Sequence, residues 1–254
     1  MDRVCAISAE QEAEQAVFSA GVFLVDKPVG PSSFRMVQLI RRALKIKKVG
    51  HSGTLDPFAS GLLIICAGRP ATRIIPRLMD GSKEYEAVLC LGVETDTLDT
   101  EGTVVATSDV PKLEQQQVRA CLDGFQGESL QAPPAYSAVK HKGKPLYHYA
   151  RKGIVIEKPP RTVFIHRIDL LDLGVDEMRI LVSCSKGTYI RTLAADIGRS
   201  LGCGAHLKGL RRTKNGPFAV DQAIDGERLK DSSLARPLLL NNCLSIDQAL
   251  IQLD

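Results

Sequence analysis

Between Asp26 and Asp56 the chain has no acid, yet it carries Lys27, Arg35, Arg41, Arg42, Lys45, Lys47 and Lys48. The run ends in VGHSGTLDPFASGLLII, where Asp56 is the sole carboxylate and Gly50 and Gly53 permit tight turns around it and His51. Two other stretches combine reactive groups with special backbone. In KEYEAV, Tyr85 begins a strand pattern; in CSKGTYIRTLAADIG, Tyr189 and Arg191 flank a strand-to-helix turn. Each residue has a plain structural use. Asp56 can cap a helix entered at Pro57, His51 can bond the backbone, Tyr85 can fill a core, and Arg191 can pair with Asp196 or Glu177. Taken together, one carboxylate, one guanidinium and two phenols suit work on a nucleobase glycosidic bond. A carboxylate near ribose C1′ acts as a nucleophile or stabilises an oxocarbenium ion. An adjacent arginine keeps it ionised, lowering its pKa by about 1–3 units. Aromatic rings hold a base by stacking, at about 1–3 kcal/mol per base, which offsets the few kcal/mol needed to flip that base out of folded RNA.

Size and composition fit this reading. The 254 residues make one large domain or two small ones, with 44% apolar and 24% charged residues. No apolar run approaches the roughly 20 residues that span a bilayer, so no membrane partner is expected. Asp2, Glu10, Glu12 and Glu14 against Arg3 rule out the basic start of a secretory signal, and residues 1–20 read as a flexible acidic leader. Seven scattered cysteines without a C-x-x-C pair point to a reducing cytoplasm. The five histidines form no H-x-x-x-H pair and no phosphate-cradling glycine motif follows a strand, so neither metal nor nucleotide cofactor is expected. The net charge of +4 is unevenly spread. Eight acids lie between Glu94 and Glu128, seven Lys or Arg lie between Lys140 and Arg161, and no acid interrupts Ile197–Val220. Such a dipolar chain suits a polyanion bound on one face.

The elements that must position these residues alternate irregularly. Residues 22–26 read as a buried strand, followed by a helix capped at Ser32 or Ser33 and running to about Lys47, with Phe34, Val37, Ile40 and Leu44 on one face. Leu62–Cys66 is a continuous apolar run fit for a central strand. Tyr85, Ala87, Leu89 and Leu91 alternate with more polar neighbours, and Val104–Ala106 should return as a strand. Leu113–Phe125 looks helical. Residues 126–161 lose the rhythm. Val163–Leu173 and Met178–Cys184 resemble a strand pair, and Thr192–Leu201 a helix with Leu193, Ile197 and Leu201 inward. An α+β domain with a mixed or antiparallel sheet follows.

The three reactive stretches, together with LVDKPVGPSS, APPAYSAVKHKGKPLYHYARKG and LGCGAHLKGLRRTKNGPF, resemble the motifs of the TruB family, the tRNA pseudouridine-55 synthases. The likeness runs from about Gly21 to Leu229 in the family's order. It implies the pseudouridine synthase catalytic fold over residues 21–230, a mixed, largely antiparallel central sheet with flanking helices, and a thumb-like insertion at 126–161 that closes on the T-arm of tRNA. By the same resemblance Asp56 is the essential carboxylate, Tyr85 stacks on the flipped uracil, Tyr189 sits near C5, and Arg191 pairs with Asp56. His51 helps hold the everted base, and Lys27, Pro28 and Leu210 line the pocket. Lys140, Lys142, Lys144, Arg151, Lys208, Arg211 and Arg212 are the expected phosphate contacts. The tail from 231 to 254 is too short for the PUA-type module common in the family. A monomer acting without guide RNA is expected. A non-catalytic tRNA-binding or folding protein is the alternative, and hydrolytic nucleoside cleavage shares the carboxylate.

Overall fold

The computed structural model describes residues 18–253; the expected acidic leader lies outside the described residues as far as residue 17. Fourteen strands are present among the described residues: β1 (Gly21–Lys27), β2 (Val49–His51), β3 (Ser60–Ala67), β4 (Lys83–Leu91), β5 (Val93–Thr95), β6 (Val104–Thr107), β7 (Gly127–Gln131), β8 (Lys140–His141), β9 (Lys144–Pro145), β10 (Arg161–Leu173), β11 (Glu177–Cys184), β12 (Ala205–Asn215), β13 (Phe218–Ala219) and β14 (Ile224–Asp225). Ten of them form one sheet in the order β14-β1-β3-β12-β4-β11-β10-β7, with β2 paired to β3 and β13 to β12. The β1–β14 and β3–β12 pairs are parallel and the rest antiparallel, so the sheet is mixed and largely antiparallel, as expected.

The apolar run of β3 is continuous because both of its faces are covered. Leu63, Ile65 and Ala67 join a core beneath the helix Ser33–Leu44, while Leu62, Ile64 and Cys66 join a second core that includes Leu78 and Phe218. Each such large side chain, fully buried, contributes about 1.5–3 kcal/mol. Strand β4 shows its alternation for the opposite reason. Ala87, Leu89 and Leu91 face a third core packed under the helix Ile190–Ser200, and Glu86, Val88 and Cys90 stay partly open.

The structure shifts several expected boundaries. The helix from Ser33 is capped by Ser32, whose side chain accepts from Arg35 N, but it stops at Leu44, where Lys45 takes a left-handed conformation at φ 53°. Phe34 is 55% exposed; Met36, Val37, Leu39, Ile40 and Leu44 make the buried face. Val104–Thr107 does return, but onto β5 as a separate two-stranded ladder. Gly127–Gln131 is the edge strand of the main sheet, paired with β10, so the irregular segment begins at 132 rather than 126. Beyond it stand the β8–β9 hairpin and the short helix Leu146–Ala150. Residues 205–215, for which the sequence offers no alternation, form the long central strand β12. The tail folds as the helices Ser232–Asn241 and Ile246–Ile251.

Candidate active site

Asp56 sits in the irregular loop between β2 and β3, and several groups around it are tied down. Asn215 Nδ2 donates to Ser52 Oγ at 3.3 Å, and Arg212 Nη2 donates to Gly53 O at 3.3 Å. Ser33 Oγ accepts from Leu55 N at 2.8 Å and donates to Leu55 O at 2.9 Å. Pro57 O accepts from Gly30 N at 2.8 Å and, at 3.5 Å, from Lys27 Nζ. The start of β3 approaches β12 so closely that a Cβ on Gly61, at φ +102°, would lie 2.3 Å from Arg212 O. The loop leaves Asp56 no helix to cap. The nearest helix after Asp56 among the described residues begins only at Arg69.

The helix Ile190–Ser200 brings Arg191 to Asp56, with Nε 3.1 Å from Oδ2. The contact uses one nitrogen. The rest of the buried guanidinium goes elsewhere: Nη1 donates to Asp99 Oδ2 at 3.1 Å and to Thr97 O at 3.0 Å, and Nη2 to Tyr136 O at 2.7 Å. Asp99 itself is buried, and its Oδ1 accepts from Thr97 Oγ1 at 2.5 Å and from Glu101 N at 3.0 Å. The alternative partners are occupied: Asp196 pairs with Arg199 and Glu177 with Lys208.

The sequence expectation for the Asp56 carboxyl is reversed. Burial raises its pKa above the ordinary carboxylate value, Arg191 opposes that rise, Asp99 adds to it and Lys27 opposes it. Burial is the largest of these influences, and the second carboxylate on the same arginine adds to it.

Tyr189 caps the same helix, and Gln131 fixes it: Tyr189 N donates to Gln131 Oε1 at 2.6 Å, and Gln131 Nε2 donates back to Tyr189 O at 3.0 Å. Tyr85, on β4, is the cross-strand partner of Arg212 on β12, and burial pushes its phenol pKa up. A cleft of about 300 Å³ joins these groups. Asp56, Tyr85, Tyr189, Arg191, Leu210 and Arg212 all line it, and Lys83, Ser137 and Lys186 are among the other wall residues. Its size is at the small end for ligand sites.

Not every expected residue reaches the cleft. Lys27 is buried behind the Asp56 loop, where Nζ donates to the carbonyls of Pro28 and Pro31 at 2.9 and 2.8 Å, and burial lowers its pKa to about 8. Neither Lys27 nor Pro28 lines the cleft. His51 ends β2 with its Nδ1 buried and unpartnered, its pKa lowered first by burial and then by Arg212. Lys140, Lys142, Lys144 and Arg151 are exposed on the hairpin and at the end of the helix that follows it. Lys208 is exposed but paired with Glu177, and Arg211 holds Asp26 through two bonds of 2.9 and 2.7 Å. Arg212 is only 2% exposed, so it cannot meet a phosphate on the surface.

Sequence reasoning missed Asp99, Gln131, Ser33 and Lys83. Asp99 and Gln131 lie in polar stretches without pattern. Ser33 showed only as a candidate helix cap, and Lys83 lay within a stretch singled out for Tyr85. Each acquires its place only when distant strands meet.

The sheet order and the single loop carboxylate define a class before any name does: this is the fold of the pseudouridine synthases. Solved structures agree. An archaeal box H/ACA Nop10–Cbf5 complex shares 29% identity and a TM-score of 0.65 over 91% of this chain and 61% of that one. A Cbf5–Nop10–Gar1 complex shares 29% at a TM-score of 0.68 over 91% and 62%. The chain thus spans less than two thirds of those proteins. Residues 41–190 match the TruB family pseudouridylate synthase N-terminal domain, and 191–250 match the tRNA pseudouridylate synthase B C-terminal domain. A tRNA pseudouridine synthase B of Desulfotalea psychrophila is 57% identical over 83% of this chain and 88% of its own. One of Bordetella avium is 51% identical over 87% and 91%. The chain belongs to the TruB family of pseudouridylate synthases.

Proposed function

We propose that this chain isomerises the uridine at position 55 in the T-loop of tRNA, with Asp56 as the essential carboxylate. The coarser activity, conversion of uridine to pseudouridine in tRNA by an isomerase, follows from family membership and its close relatives. The observation that carries the residue assignment is Arg191 Nε at 3.1 Å from Asp56 Oδ2, inside a cleft walled by Tyr85 and Tyr189. In this reading the flipped uracil stacks on Tyr85, and Asp56 meets the sugar by attack at C1′, by addition to the ring or by assisting a glycal route. Arg191 fixes the carboxylate's direction. Tyr189 stands where the C5 proton must leave after the base rejoins through carbon. The 132–160 segment, whose Tyr136 O anchors Arg191, serves as the thumb that closes on the T-arm, and Lys140, Lys142, Lys144 and Arg151 meet phosphates. His51 supports the everted base, the enzyme acts as a monomer in the cytoplasm, and no guide RNA takes part.

Incubating the purified protein with a T-arm stem-loop transcript, followed by nucleoside analysis, tests this. Pseudouridine should appear at the expected uridine, and Asp56→Asn should abolish it while still binding the RNA. Free uracil would point to hydrolysis. Activity surviving in Asp56→Asn would remove the carboxylate from the mechanism.

A further inference from the structure

Arg212 is a buried cation with no carboxylate partner among the described residues, and it lines the cleft. Its neighbours make the contrast. Arg211 is matched by Asp26, and Arg191 by both Asp56 and Asp99. Arg212 has five N–H donors, of which Nε goes to Leu62 O at 2.7 Å and Nη2 to Gly53 O at 3.3 Å. Carbonyl oxygens satisfy hydrogen bonds but do not cancel a charge, and a buried charge left without a counter-ion is costly. Pinning the two flanks of the Asp56 loop needs donors, not a positive charge. The surplus charge therefore calls for an anion that arrives in the cleft.

Burial argues against a phosphate, because the arginine is 2% exposed and stands across the ladder from Tyr85. The reaction supplies another anion. When the C1′–N1 bond breaks, its electron pair stays on the base, so the ring carries one negative charge over N1, O2 and O4. C5 then bonds to C1′, the C5 proton leaves, N1 takes up a proton, and the base is neutral again. Addition of Asp56 to the ring also passes through an anionic ring. We propose that Arg212 is a further catalytic residue whose uncompensated charge stabilises the uracil anion formed during isomerisation. This rests on the reading that uracil stacks on Tyr85. The cleft then presents a carboxylate to the sugar, which turns positive, and a guanidinium to the base, which turns negative. Fixed charge aimed at charge that develops only in the transition state speeds the chemical step more than it tightens binding.

The test uses the full chain and a T-arm stem-loop carrying C5-tritiated uridine, with tritium release read in a single turnover. Arg212→Gln should slow release by about 10²–10³-fold, the scale for one such donor, with RNA Kd within about three-fold of the parent. Arg212→Lys, which restores charge on a different stem, should recover at least about ten-fold of that loss. Equal rates in Gln and Lys variants would show a pin for the loop and overturn the proposal, as would a parental rate in Arg212→Gln. A weaker Kd with a flatter salt slope would place the charge on a phosphate and overturn it too. Should the variants fail to fold, the parent supplies the comparison. A 5-nitrouracil, ionised at neutral pH, should inhibit more strongly than uracil, and equal inhibition refutes the role. Asp56→Asn separates the two readings: activity there sinks the whole site, whereas a dead Asp56→Asn beside an unslowed Arg212→Gln sinks Arg212 alone.

Discussion

Asp99→Asn is the sharpest probe of how the site is held. Asp99 Oδ1 accepts from Thr97 Oγ1 and Glu101 N, and Oδ2 accepts from Arg191 Nη1. Asparagine has one oxygen. If it keeps the two bonds inside the 97–101 turn, its NH₂ faces the guanidinium, donor against donor. The variant thus loses a buried, charge-assisted bond, worth about 1.5–3 kcal/mol. The full 3–5 kcal/mol for orphaning a buried charge does not apply, because Arg191 keeps Asp56, Thr97 O and Tyr136 O. At about 2–4 °C per kcal/mol for a chain of this size, Tm should fall by about 3–12 °C. Turnover should fall further than stability explains. Arg191 loses one of its anchors, and displacement of about 1 Å at a reacting group costs on the order of 10²-fold. The pH profile carries a sign. Asp99 is one of the groups raising the Asp56 pKa, so its neutralisation moves the acid limb of kcat/KM to lower pH. Single-turnover tritium release from pH 4 to 8, beside thermal unfolding of the same samples, measures all three. A variant with parental rate and Tm, or an acid limb displaced upward, would refute the shared-arginine account.

Other outcomes follow from the same geometry. Asp56→Asn should lose activity without losing stability at neutral pH: a carboxyl whose folded pKa is raised stabilises the fold below its unfolded pKa, and that contribution is lost as pH rises through the folded value, so a neutral amide removes a cost; a large drop in Tm would contradict this. Tyr189→Phe should slow turnover by about 10²–10⁴-fold and leave RNA affinity within a few-fold, since the ring and the Gln131 bonds to the backbone remain; a parental rate would exclude proton transfer by the hydroxyl. Arg191→Lys should be slow even though the contact to Asp56 is a single ion pair through Nε, because an ammonium cannot reach Asp56, Asp99 and two carbonyls together; an active Lys variant would refute the fork requirement. Neutralising Lys140, Lys142 and Lys144 together should reduce the slope of log Kd against log salt by up to about 0.7–0.9 for each phosphate the lysines no longer neutralise, and an unchanged slope would make that hairpin a solvated loop.

Local pattern carried much of this protein by itself. The glycine-flanked Asp56, the alternation around Tyr85, the turn before Arg191 and the continuous apolar run of β3 are readable because they depend on neighbours within a few residues. So is the capped helix at Ser33, although only the core decides that Met36 and Leu39 are buried and Phe34 is exposed. Strand β12 was invisible because its register is set by β4 and its charges are settled by distant partners. Asp26 answers Arg211, and Leu62 O and Gly53 O hold Arg212. A basic stretch looks the same in sequence whether it meets phosphate, carboxylate or carbonyl. The pKa of Asp56 shows the same limit. One arginine beside one acid predicts a lowered value; burial, and the negative charge of Asp99 forty-three residues along the chain, reverse it. Sequence fixes which groups are present and which local turns they favour. Desolvation and charge pairing are properties of the assembled interior, and only the tertiary structure decides them.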